Sequence, residues 1–73
     1  MDFKPGIYQH YKGQKYLAIG VAKHSETLEE FVCYIPLYDN DESKIWVRPM
    51  AMFMEEVEID GVKKPRFTFL SNY

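Results

Sequence analysis

Lys15-Tyr16-Leu17-Ala18-Ile19-Gly20-Val21-Ala22-Lys23-His24, answered beyond Ser25–Glu30 by Phe31-Val32-Cys33-Tyr34-Ile35-Pro36-Leu37, decides the fold. Both runs are dense in β-branched and aromatic residues, which fit a pleated, half-buried surface better than a helix. The six residues between them suit a hairpin connection. Gly20 interrupts the longer run, and a glycine inside a strand commonly marks a bend or bulge, as a strand curving around a small core requires.

Working outward, the same punctuation continues in both directions. Gly6–Tyr11 is a strand-length run closed by a Lys12-Gly13 turn. Ile45–Pro49 is a short fourth run, and Glu56–Ile59 ends at Asp60-Gly61, a strong hairpin signal. Arg66–Leu70 returns as a sixth strand, kept at an edge by Pro65, which cannot donate to a ladder. Two segments read as single helical turns. Ser25–Glu30 offers Thr27 as an N-cap with Glu30 three residues on, and Pro49–Met54 opens on proline. The expected fold is all-β: a small five- to six-stranded barrel or roll with one or two short helical turns, in an SH3-like layout, forming one domain over residues 1–73.

Composition supports folding and narrows the function classes. The chain has 73 residues, 47% hydrophobic and 16% aromatic, which is enough apolar material for a small dense core. Its formal net charge is −2, and its nine Lys and Arg are scattered among eleven acids. That balance lacks the basic stripe of a phosphate-backbone binder and argues against nucleic acid as partner. One cysteine excludes an internal disulfide. The start, Met1-Asp2-Phe3-Lys4-Pro5-Gly6, has no basic segment followed by an apolar one, and no apolar run approaches the length of a membrane helix. The expected setting is cytoplasmic, with no membrane partner.

Strand alternation divides the chain into two faces. Without a bulge, Phe31, Cys33, Ile35, Ile45 and Val47 share one face with Ala18, Gly20 and Ala22. Ile19, Val21, Val32, Tyr34, Trp46 and Arg48 share the other, joined by Tyr8 and His10. If the first face is the core, the second is an aromatic and cationic surface suited to stacking on a planar ligand or anchoring a partner. If the second is the core, Arg48 reaches out along Trp46 and Tyr34. A single bulge exchanges the assignments.

The search for reaction chemistry returns little. One Cys and two distant His cannot complete a structural zinc site. Asp39-Asn40-Asp41-Glu42-Ser43 begins like a calcium loop, but Lys44 and Met50 stand where such a loop needs Gly and Glu, so it reads as a solvated acidic loop. No metal or cofactor is expected. Cys33, mid-strand between Val32 and Tyr34, is expected to be buried and inert. The densest polar cluster is His24-Ser25-Glu26-Thr27 with Glu29. It holds the residue types of acid–base chemistry, although within a tight turn such groups more often bond the turn's own backbone.

Taken together, Tyr8-Gln9-His10-Tyr11-Lys12-Gly13, Gly20-Val21-Ala22, His24-Ser25-Glu26-Thr27, Leu37-Tyr38, Trp46-Val47-Arg48-Pro49, Met52-Phe53 and Pro65-Arg66-Phe67 resemble a bacterial family known as domain of unknown function 1653. The resemblance spans nearly the whole chain and departs only in the acidic loop, where the family carries shorter, Gly-containing versions. It implies a small β-rich bacterial domain and assigns no catalytic residue. It places the His24–Thr27 and Trp46–Pro49 motifs first among site candidates.

The function expected from these readings is a non-enzymatic binding module for a protein or a small polar ligand. Its candidate surface joins Tyr8, His10, Tyr34, Trp46 and Arg48 to His24, Ser25, Glu26 and Thr27. The alternative is a small enzyme, or accessory subunit, using His24 and Glu26 with Arg48 as an anion clamp. Single-stranded nucleic-acid binding by aromatic stacking is a third class, weakened by the missing basic groove.

Overall fold

A computed structural model describes residues 3–72. Seven strands and one short helix follow in order: β1 Gly6–His10, β2 Lys15–Lys23, β3 Glu30–Pro36, β4 Trp46–Pro49, α1 Met50–Phe53, β5 Glu56–Ile59, β6 Val62–Pro65 and β7 Phe67–Ser71. The fold is all-β apart from α1. Five strands form an antiparallel sheet in the order β4-β3-β2-β1-β7, and β5 with β6 makes a separate two-stranded hairpin. The large sheet is open, with β4 and β7 at its two edges. No helix among the described residues is long and apolar enough to cross a membrane.

The β2–β3 hairpin forms where the sequence places it, and the irregularity beside Gly20 is a bulge. Ala18 pairs with Tyr34 and Gly20 with Cys33, leaving Ile19 as the extra residue. The bulge moves Ala18 onto the face of Val32 and Tyr34. That face is the core: Tyr8, Ala18, Val32, Tyr34, Met50, Phe53 and Phe67 are buried, with Phe3, Tyr16, Trp46 and Phe69 packed against them. The core is therefore the Tyr8–Tyr34–Trp46 side, and the proposed aromatic surface lies largely inside the molecule. Phe31, Cys33, Ile35 and Val47 are on the outer side, where Cys33 is half-buried rather than buried. Its cross-strand neighbours are Gly20, which has no side chain, and Val47, an exposed edge residue.

Helix α1 explains the choice of face. It follows Pro49, spans one turn, and closes with Met54 N–H donating to the Met50 carbonyl at 3.0 Å. Met50 and Phe53, three apart on one helix face, point the same way and are both buried. Phe53 stacks on Phe67 of β7 at a centroid distance of 4.0 Å and an interplanar angle of 5°. Thus α1 and β7 bring two rings to one side of the sheet, and that side becomes the interior. Arg66 ties the same region together, donating from Nε to the Met52 carbonyl at 3.1 Å and pairing with the Glu55 carboxylate.

Ser25–Glu30 is a single turn, closed by the Leu28 N–H donating to the His24 carbonyl at 2.8 Å, the i, i+4 spacing of one helical turn. Thr27 Oγ1 accepts the Glu29 N–H at 3.2 Å instead of capping Glu30, and Glu30 opens β3. The return arm of the Asp60-Gly61 hairpin is β6, a strand made of Val62-Lys63-Lys64-Pro65, while the C-terminal run pairs with β1. At that turn Asp60 has φ 52° and Gly61 φ 78°, the two left-handed residues of a type I′ connection.

Candidate functional site

Where the inner face reaches the open end of the sheet, β2, β3 and β4 each contribute a polar aromatic or a cation. Tyr16 comes from β2, Tyr34 from β3, and Trp46 and Arg48 from β4, two residues apart and so on the same side. Tyr34 and Trp46 are direct cross-strand partners. The chain leaves β3 and returns Tyr38 over Tyr16, their hydroxyls 2.9 Å apart and their rings edge-on at 5.5 Å. These five side chains line a cleft of about 170 Å³.

Arg48 is the distinctive member. Its Nε donates to the Tyr34 hydroxyl at 3.2 Å, and its guanidinium carbon lies 5.5 Å from the centre of the Phe67 ring. Phe53 covers one face of that ring, so the cation occupies the other. The Arg66–Glu55 pair is the only ion pair among the described residues, so Arg48 has no carboxylate partner. Neither Glu26 nor Glu29 pairs with it. A half-buried cation without a counter-ion carries a desolvation cost that an incoming anion would relieve.

The Tyr16 hydroxyl beside it remains protonated. Burial raises the Tyr16 phenol far above its ordinary value, and the hydrogen bond to Tyr38 adds to that rise. Tyr8, deeper in the core, is raised by burial as well, and its hydroxyl donates to the Lys4 carbonyl at 2.6 Å. Neither Tyr8 nor Tyr34 is a surface residue, at 6% and 5% exposure. Tyr34 nevertheless reaches the cleft with its hydroxyl, whereas Tyr8 does not line it.

His10 also meets the Phe67 ring, edge-on at 4.9 Å. Its Nδ1 accepts the Lys12 N–H at 3.1 Å. Burial, then the charges of Arg48, Arg66 and Lys12, lower its pKa. The folded state therefore resists protonation more than the unfolded chain does. Stability should fall as pH drops through about 6.5, the ordinary histidine value, and level off once the folded-state pKa is passed. His10→Asn keeps an acceptor for Lys12. Urea unfolding at about pH 7 and about pH 5.5 should show a smaller loss for this variant than for the native chain. An equal loss would remove His10 as the source.

The His24–Thr27 turn is separate. His24 Nδ1 accepts the backbone N–H groups of Glu26 at 3.1 Å and Thr27 at 3.3 Å, and the carbonyl of His24 accepts from Leu28 at 2.8 Å. Its ring lies 6.4 Å from that of Phe31 on the outer side, while Arg48 is on the inner side. Among the described residues no hydrogen bond or ion pair joins the turn to Arg48. Ser25, Glu26 and Thr27 are exposed. The residues of the proposed enzyme site thus do not converge, and His24 acts as a turn-forming acceptor.

Other depressions equal or exceed the Arg48 cleft in size. One of about 300 Å³ lies among Gln9, His10, Tyr11, Gly13, Lys64, Pro65 and Thr68. Another of about 400 Å³ is the acidic loop at Asn40–Lys44. Size does not choose among them; the unpartnered cation does. Sequence reading missed Tyr16 and Tyr38, although Leu37-Tyr38 stood among the motifs. No group of three or more His, Cys, Asp or Glu among the described residues is arranged to hold a metal.

Comparison with known proteins places this geometry in context. The family model described as a protein of unknown function (DUF1653) matches residues 6–69. A crystal structure of a DUF1653 protein from Bordetella bronchiseptica superposes with a TM-score of 0.92 at 38% identity, covering 99% of this chain and 92% of that one. No functionally curated protein matches the chain.

Proposed function

Since the chain belongs to the DUF1653 family, which assigns no activity, we propose from its geometry that it is a non-enzymatic bacterial binding module, cytoplasmic, whose ligand enters the Tyr16–Tyr34–Tyr38–Trp46–Arg48 cleft. The ligand is a small polar molecule or a polar group presented by a protein. The observation that carries this reading is Arg48, fixed by Tyr34 and Phe67, open to the cleft, and unmatched by any carboxylate among the described residues. Tyr, Trp and Arg are also the residue types that dominate binding energetics.

Trp46 is the sole tryptophan of the chain and lines the cleft, so its fluorescence reports occupancy without background. Titration with a panel of small acids, amines, amides and sugars should give a saturable change for at least one class. Arg48→Met, which keeps the alkyl stem over Phe67, should weaken that response about tenfold to a hundredfold. Circular dichroism should show the variant still folded. Saturation unaffected by Arg48→Met, or no saturation with any class, would reject the cleft as the site.

A further inference from the structure

The hydrogen-bond inventory of the cleft defines the chemistry of its ligand, an inference that rests on the binding reading above. Each tyrosine hydroxyl offers one donor proton, and arginine offers five. The Tyr34 oxygen accepts from Arg48 Nε, so its own proton is still available. The Tyr16–Tyr38 bond uses one of two phenolic protons and leaves the other. Among the described residues, the Nη hydrogens of Arg48 and the indole N–H of Trp46 have no acceptor. No carboxylate or carboxamide lines the cleft.

We propose that the Arg48 cleft is a monocarboxylate site, in which the guanidinium Nη groups fork onto the two carboxylate oxygens and the Tyr34 and Tyr16/Tyr38 hydroxyls donate to them. A carboxylate only accepts hydrogen bonds, which matches a site rich in unused donors. One guanidinium balances one negative charge. Arg48 is the only cationic side chain among the residues that line the cleft, so a dianion would keep an uncompensated charge. The rings of Tyr16, Tyr38 and Trp46 accommodate a short apolar remainder. The volume of about 170 Å³ is below the roughly 300–1,000 Å³ of drug-sized pockets. A free short-chain acid and the terminal carboxylate of a peptide share this chemistry.

Trp46 fluorescence, at constant ionic strength in chloride, is titrated with acetate, propionate and inorganic phosphate, and with propionamide as the neutral isostere. N-acetyl-Ala-Ala is added with its C-terminus free or amidated. The acids should saturate, with the amides weaker by about tenfold or more because they lose a charge-assisted pair, and phosphate should be weaker than propionate. A free peptide terminus binding about tenfold more tightly than propionate identifies a peptide source, and equal or weaker binding identifies a free acid. The comparison of acid with amide uses the native chain and does not depend on a variant folding. Amides matching the acids, or phosphate saturating while carboxylates do not, would overturn the carboxylate assignment and leave the cleft as a binding site. Silence with every probe would overturn the binding reading as well.

Discussion

Phe67→Ala is expected to remove about 3–5 kcal/mol of stability, the range for deleting a buried aromatic ring. Phe67 is 7% exposed and sits at the centre of the aromatic core. It stacks on Phe53 and meets His10, Tyr16 and Tyr34 edge-on at 4.9, 5.8 and 5.6 Å. The cavity would open between α1 and the sheet, where no neighbouring backbone can close it without moving a strand. A domain of this size has about 4–11 kcal/mol in total, so the loss takes a large share of it. Thermal unfolding by circular dichroism should show Tm lower by about 15–30 °C. Phe67→Leu, which keeps most of the volume, should recover much of that. A drop below about 5 °C for Phe67→Ala would mean that the rings do not form one packed unit.

Gly6→Ala is the second large effect. A Cβ at Gly6 would lie 2.5 Å from the Ser71 carbonyl oxygen and 2.7 Å from Phe69 Cε1, and the φ of 153° is one that other residues rarely adopt. The closest obstacle is backbone, so relief requires β7 to move away from β1 at the Ile7–Ser71 pair. Overpacking of this kind costs about 1–3 kcal/mol, and the backbone conformation adds about 1 kcal/mol or more. Gly61→Ala is the control. Its Cβ would meet nothing within 4 Å at φ 78°, so only the conformational cost of about 1–2 kcal/mol applies. Urea unfolding should rank Gly6→Ala as clearly the more damaging. The reverse order, or equal losses, would place the C-terminal strand differently from the structure.

Much of this architecture was legible in the chain, for identifiable reasons. The strands of the β2–β3 hairpin, the bulge beside Gly20 and the Asp60-Gly61 turn are local events, set by residues next to one another. Strand β6 escaped because Val62-Lys63-Lys64-Pro65 is exposed throughout and carries no alternation. The choice of face escaped for another reason. Phe31, Cys33 and Ile35 are as apolar as Val32 and Tyr34, and the decision comes from Phe53 and Phe67 arriving from distant segments. Trp46 and Arg48 were found as a motif, but the isolation of Arg48 from Glu26 and Glu29 follows from which side of the sheet each occupies. The thiol of Cys33 moved outward with the same exchange of faces. Tyr38 looked like a loop residue until its contact with Tyr16 made it a wall of the cleft.

The central claim is that the donors of the inner cleft wait for an acceptor-only anion. Nuclear magnetic resonance tests it directly, because a chain with one tryptophan gives one indole N–H signal. Titrating ¹⁵N-labelled protein with propionate against chloride should move the Trp46 indole and Arg48 Nε signals along saturable curves with one shared dissociation constant. In ¹³C-labelled protein, the methyl signals of Leu17, Ile35 and Val47, whose side chains are on the outer side, should stay in place. Shifts that grow linearly with salt, or that spread over both faces without Trp46 and Arg48 leading, would contradict the account.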